Sequence, residues 1–303
     1  MSEHHPRIRI HAQSGTLLIR DGLSISFYMR QPHPEVALQV MRSLEVYLRA
    51  LGPSAFDSYT DDEGDWQPLD DAGWEETRRK LLYPRYANIH LAEAASREKR
   101  YRFDYQGRTK NDPSVHNYPD EVCSVSYWLP SELLEERGPS WVRELVLALA
   151  APLPFSSGNA GLAFNCQTYL LGVSREVSKY CFRYPGMDVL NLSSISMSLG
   201  TRVRSPSWLT FLGQPVLGEL GGAAGLRSRL HTPGTTVQEL EGDRAVVTLG
   251  PWPEAGDTEQ GKDLPAYREL ARILEPWTFW GEGRSALRLD PDLARRWERR
   301  FLD

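Results

Sequence analysis

Apolar and polar positions alternate through "LSISFYM", residues 23–29, and that period of two predicts a half-buried strand. The preceding "RIRIHA" and "LLIRDG" read as strands too, with a turn expected at Asp21 and Gly22. The period then changes. In "HPEVALQVMRSLEVYLRALGP", Val36, Val40, Leu44, Tyr47 and Leu51 fall near one face of a helix. Pro34 suits its first turn, and Gly52-Pro53 ends it. Further along, a short helix is expected from Trp74 to Leu82. Strands are expected at "YANIHLAEA", "YRFDY" and "CSVSYWLP", with a polar loop from Arg108 to Pro119. Ser131 is placed to cap a helix beginning "ELLEE", and "SWVRELVLALAAPL" continues as an apolar helix. "GLAFN", "TRVRSPSWLTFLG" and "AVVTLG" read as strands. "GVSREVSKYCFRY", "GGAAGLRSRL", "LPAYRELARILEPW" and the tail "DPDLARRWERRF" read as helices.

One unit recurs. "SISFYMRQPHPEVALQVM", "SVSYWLPSELLEE" and "AVVTLGPWPEAGDTEQGKDLPAYRELARIL" each pass from an alternating strand through a proline turn into a helix. The pattern predicts an α+β fold, with helices packed on a mixed or antiparallel sheet. No low-complexity linker divides the chain. The expectation is a single α+β domain over residues 1–303, with room for two sub-lobes.

Composition narrows the function classes. The chain has 303 residues, 41% of them apolar, and a net charge of −5. The mild acidity disfavours direct nucleic-acid binding. No apolar run is long enough to span a membrane, and the first residues, "MSEHHPRIRIHAQSG", lack a signal-type apolar stretch. Cys123, Cys166 and Cys181 are odd in number and lack metal spacing, so they read as buried small hydrophobes in a reducing compartment. The expected location is the cytoplasm.

Candidate chemistry is thin. "PLPFSSGNAGLAFNC" has the serines and glycines of an active-site loop, but a nucleophile elbow needs G-x-S-x-G between a strand and a helix. Ser156 and Ser157 here follow a helix and precede a strand. A phosphate loop needs a lysine that this segment lacks. The bland reading is a helix-to-strand turn with Gly158 or Asn159 at positive φ. The seven histidines show no zinc spacing. His116 with Asp120 and a serine leaves a hydrolase conceivable. No cofactor or metal is expected.

Two acidic segments stand out. "TDDEGDWQPLDD" supplies Asp61, Asp62, Glu63, Asp65, Trp66, Asp70 and Asp71, and its spacing fails the calcium-loop pattern. No lysine or arginine interrupts residues 57–77, while Tyr59, Trp66 and Trp74 are interspersed. Two readings stand: a solvated acidic loop ahead of a helix N-terminus, or a face for a basic protein partner. A long loop before the "LPAYRELARIL" helix adds Glu254, Asp257 and Glu259. The opposite composition occurs in "SREKRYRFDYQGRTK". Strand alternation accounts for it, with aromatics inward and basic side chains outward.

Four segments together carry a resemblance: "YTDDEGDWQPLDDAGW", "PFSSGNAGLAFN", "SWLTFLGQPVLGELGG" and "LGPWPEAGDTEQGKDLPAYRELARILEPW". As a set they resemble the TsiV-like immunity proteins of type VI secretion, over nearly the whole chain. The resemblance implies a protein that binds and blocks a cognate effector toxin, in several cases a nuclease of restriction-endonuclease type. It carries over no catalytic residues. Outside that family, a hydrolase or a structural component of a secretion system remain the alternatives.

Overall fold

The computed structural model describes residues 4–109, 118–166, 168, 170, 172–281 and 291–303. The chain begins with β1 (Arg9–His11), β2 (Leu17–Met29) and α1 (His33–Leu51). Next come β3 (Ser58–Thr60), β4 (Trp66–Pro68), α2 (Asp71–Leu81), β5 (Ala87–Ala92), β6 (Arg102–Gly107), β7 (Cys123–Pro130) and α3 (Glu132–Ala150). Then follow β8 (Ser157–Cys166), α4 (Val173–Cys181), α5 (Leu192–Ser196), β9 (Leu209–Leu212), α6 (Val216–Glu219) and α7 (Gly222–Arg227). The chain closes with β10 (Thr235–Leu240), β11 (Arg244–Leu249), α8 (Pro265–Leu274) and α9 (Pro291–Glu298).

These strands form one sheet in the order β10-β11-β9-β8-β2-β7-β6-β5-β3-β4, with β1 beside the start of β2. Every ladder in it is antiparallel. The architecture is α+β, as the strand–proline–helix unit predicts. Those units lead from β2 to α1, from β7 to α3 and from β11 to α8.

Alternation sorts the sheet into two faces. Ile19, Leu23, Ile25 and Phe27 of β2 share a face with Phe103, Tyr105, Val125, Tyr127 and Leu129, all buried. Helices α1 and α3 cover it. Tyr127 donates to Ser43 Oγ (2.6 Å), which donates to the Leu149 carbonyl (2.8 Å), so sheet and both helices share one hydrogen-bonded chain. At the other end of the sheet, neighbouring residues of one strand feed different cores. Phe211 and Val246 join the main core. Leu212, Ala245 and Val247 join a second one, with Leu220, Leu226, Leu270 and Leu274.

Several expectations change. Residues Asp21 and Gly22 form no turn; β2 runs straight through them. Asp21 is a buried hub that accepts from Ile8 N (2.7 Å), the Arg9 guanidinium and the Ser131 hydroxyl. Ser131 therefore turns away from the α3 N-terminus and does not cap it. The "SSGNAG" turn does not exist either. Ser157–Cys166 is an entirely buried ten-residue strand between β2 and β9, so no alternation shows in its sequence. Its glycines serve close approach: a Cβ at Gly158 would lie 2.6 Å from Phe27 Cδ1 and 2.8 Å from the Ser26 carbonyl. The "TRVRSPSWLTFLG" strand shrinks to Leu209–Leu212. β3, β4 and β10 had no strand signal, being short or half-exposed.

Candidate functional site

The first acidic segment is a hairpin. β3 pairs with β4 from Ser58–Pro68 to Thr60–Trp66, at the far edge of the sheet. Asp61 closes its tip. The carboxylate accepts from Glu63 N (3.1 Å), Asp65 N (2.9 Å) and Gln67 Nε2 (2.7 Å). These bonds, Gln67's first, hold Asp61 below the usual carboxylate range. Gly64 takes φ +89° in the same turn. Asp62 meets Lys80 Nζ at 2.9 Å. Asp70 caps α2 by accepting from Gly73 N (2.9 Å), and Asp71 lies in its first turn. Glu63 and Asp65 stay exposed, their carboxylates without a partner among the described residues. Trp66 beside them is 37% exposed.

The second acidic segment is organised differently. Asp257 is buried; its carboxylate accepts from Glu259 N (3.0 Å), Gln260 N (3.3 Å) and Arg183 Nη2 (3.0 Å). Burial alone would raise its pKa, but the Arg183 hydrogen bonds prevail and the group sits below its ordinary value. Glu259 pairs with Arg183 Nη1 at 2.5 Å. Glu254 is exposed, 3.8 Å from His4 Nδ1, and His4 stacks on Trp252. The structure thus divides the sequence's single acidic class. Glu63, Asp65, Asp71 and Glu254 face solvent, whereas Asp61, Asp70 and Asp257 build local structure.

A third region lacks any motif. The sheet face turned away from α1 and α3 is polar. In register across six strands stand His90, Asp104, Ser126, Ser26, Asn159 and Thr210. This corrects the outward placement expected for the basic residues of "YRFDYQ": Arg102 is buried. Its Nε donates to Asp104 Oδ2 (2.7 Å), and its guanidinium lies over Trp128 (5.3 Å) and Trp66 (5.8 Å). His90 Nδ1 meets Asp104 Oδ1 at 2.5 Å. Burial would raise the Asp104 pKa, but Arg102 and His90 outweigh it and hold the group well below the carboxylate range. Above these residues lies a groove of about 290 Å³, closed on one side by Leu190–Ser193. The period-two pattern of "YRFDYQ", "SVSYWLP" and "ANIHLA" marked this face; sequence could not show that it is covered.

The row is no catalytic triad. Asp104 stands between His90 and Ser126, so the carboxylate, not the imidazole, neighbours the hydroxyl. His116 lies outside the described residues, and the Asp120 carbonyl accepts from Gly200 N. Ser156 Oγ donates to the Tyr28 carbonyl (3.1 Å) and Ser157 Oγ to the Arg202 carbonyl (3.5 Å). Among the described residues, no three His, Cys, Asp or Glu side chains gather to hold a metal ion. The three cysteines are unpaired and buried, and burial pushes the thiols up, Cys123 to about 11 and Cys166 to about 12. No described helix is long and apolar enough to cross a membrane.

The chain thus combines an α+β sheet, an acidic hairpin at one sheet edge and a polar groove on one sheet face, and its class is that of type VI secretion immunity proteins. The chain belongs to the TsiV family, described as type VI immunity for VRR-NUC, whose profile matches residues 39–301. Its partner is accordingly a VRR-NUC nuclease effector. Among solved structures it is similar to a Pseudomonas aeruginosa type VI secretion system protein, with TM-score 0.81 and 18% identity. The match covers 98% of this chain and 88% of the other. No curated protein sequence matches the chain.

Proposed function

We propose that the chain inhibits its nuclease in the cytoplasm by one-to-one occlusion, without turnover, and that the β3–β4 hairpin makes first contact. The hairpin carries the reading: Glu63 and Asp65 are exposed, without partners among the described residues, beside half-exposed Trp66, on a tip fixed by Asp61. A nuclease presents a basic surface to DNA, because phosphate contacts dominate that affinity. Free carboxylates around an aromatic anchor complement such a surface. Asp62, Asp70, Asp71 and Glu254 would add to the field from the margins. Asp257 and Glu259 would shape the second loop without direct contact. Free, buried thiols suit a reducing compartment. The sheet shared by two cores supports a single unit over residues 1–303, and limited proteolysis giving two separately stable halves would count against it.

The test titrates purified chain against its cognate VRR-NUC effector while nuclease activity is followed. Inhibition saturating at equimolar ratio is expected. Full protection at a small fraction of equimolar would point to turnover instead, and absence of binding would remove the reading altogether.

A further inference from the structure

We propose that the groove on the polar sheet face is a second contact with the nuclease, and that it receives oxygen acceptors, carboxylate or main-chain carbonyl, from a loop of that partner. This rests on the reading of the chain as a stoichiometric inhibitor.

The groove's hydrogen-bonding groups are unequally used. Asp104, its only carboxylate among the lining residues, is engaged on both oxygens, by His90 and by Arg102. Asn88 Oδ1 accepts from Gln106 Nε2 (2.5 Å). Gln106 Oε1 accepts from Arg108 Nη2 (3.2 Å), and Asn191 Oδ1 accepts from Ser194 N (3.2 Å). The amide acceptors are therefore occupied, while the NH₂ groups of Asn88 and Asn191 donate to nothing among the described residues. Ser126 adds an independent sign. It lines the groove, is 1% exposed, and its hydroxyl has no hydrogen-bond partner among the described residues. A buried hydroxyl in that state is rare enough to need a reason.

Charge and position favour the same occupant. A lysine or arginine from the partner would find Asp104 already neutralised by Arg102, and would leave the amide donors unanswered. An oxygen acceptor would answer them. Trp128 lies in the groove and Trp66 at the hairpin, with the Arg102 guanidinium over both rings. That continuity joins the groove to the hairpin, so one partner can span them.

Asn88 is exposed, so its substitution tests the groove without disturbing the core. The dissociation constant for the effector is measured by calorimetry with the unsubstituted chain, Asn88→Asp and Asn88→Lys, each checked for an unchanged melting temperature. Asn88→Asp, which replaces a donor by an anion, should weaken binding at least tenfold. An unchanged or tighter complex would overturn the proposal. Asn88→Lys identifies the oxygen: tighter binding means a carboxylate, and an affinity within threefold of the original means main-chain carbonyls. Tenfold weakening by Asn88→Lys would reveal a cationic occupant and overturn it as well. If the unsubstituted chain fails to bind the effector, the fault lies with the inhibitor reading itself; if it binds and Asn88→Asp has no effect, only the groove contact falls.

Discussion

The β3–β4 hairpin and the loop at residues 250–264 look alike in sequence: both are acidic, aromatic and rich in turn residues. In the folded chain they differ in what their carboxylates do. The hairpin uses one, Asp61, to close its turn and leaves Glu63 and Asp65 in water. The loop buries Asp257 under Arg183 and ties Glu259 to the same guanidinium. Formal charge along a sequence is therefore a poor measure of the field a partner meets. A carboxylate engaged by an arginine and two backbone amides is a structural group, while an unpartnered one a few residues from a tryptophan is available for recognition.

The strongest way to sharpen this comparison uses a carboxylate wholly given to structure. Asp104→Asn should destabilise the fold by about 3 kcal/mol, because it removes the buried carboxylate to which Arg102 donates. The pH dependence follows from the depressed pKa. A carboxylate whose folded value lies below its unfolded value of about 3.9 stabilises fully above that value. The contribution is lost as pH falls toward the folded value. Chemical denaturation should thus show a constant gap between the two chains above about pH 5, narrowing below about pH 4. A gap that widens in acid would contradict the ion-pair account.

Next in size is Asp257→Ala. It removes the group that receives Arg183 and two backbone amides, so the melting temperature should fall by several degrees. Affinity for the effector at low temperature, where the chain remains folded, should hold. A large loss of affinity with little change in melting would move this loop into the interface and end the contrast with the hairpin. Because the Asp257 pKa is depressed, its contribution too should be present at neutral pH and fade as pH drops below about 4. Asp61→Ala should cost less stability, since only the exposed hairpin tip loosens. Faster hydrogen exchange at Glu63 N and Asp65 N would register it.

How much of this was legible depends on where each signal resides. α1 and α8 were readable because one helix face meets the core and the other meets water. The strand–proline–helix units gave the α+β class. Only the second half of β8, "GLAFN", reads as a strand, because burial on both faces removes the alternation that identifies one and the serines and glycines ahead of it imitate a loop. The functions of Asp21, Asp70 and Asp257 followed from partners as distant as Ser131 and Arg183, or from a helix start displaced by three residues. The groove was half legible. Alternation in β5, β6 and β7 announced a polar face, but only the placement of Leu190–Ser193 over it makes a recess. Aromatic and basic residues in "YRFDYQ" likewise announced two faces, and burial of Arg102 reversed what the second one does.

The smallest effect on stability, and the most direct test of the contrast, comes from replacing Glu63 and Asp65 by serine together. Neither side chain has a partner among the described residues, and both are exposed, so the melting temperature should stay where it was. Association with the nuclease is another matter. Exposed charges act on encounter across roughly a Debye length, about 10 Å at 0.1 M salt. Removing two of them from the leading tip should slow association about threefold to tenfold at low salt and flatten its salt dependence, with little change in dissociation. The Asp257→Ala chain should show the reverse: reduced melting and an unchanged association rate. Stopped-flow measurements on both variants across a salt series separate the two roles. If the doubly substituted hairpin associates at the original rate at low salt, its free carboxylates do not steer the partner. The first contact would then belong elsewhere on the surface, and the division between structural and available acids would not predict where the nuclease lands.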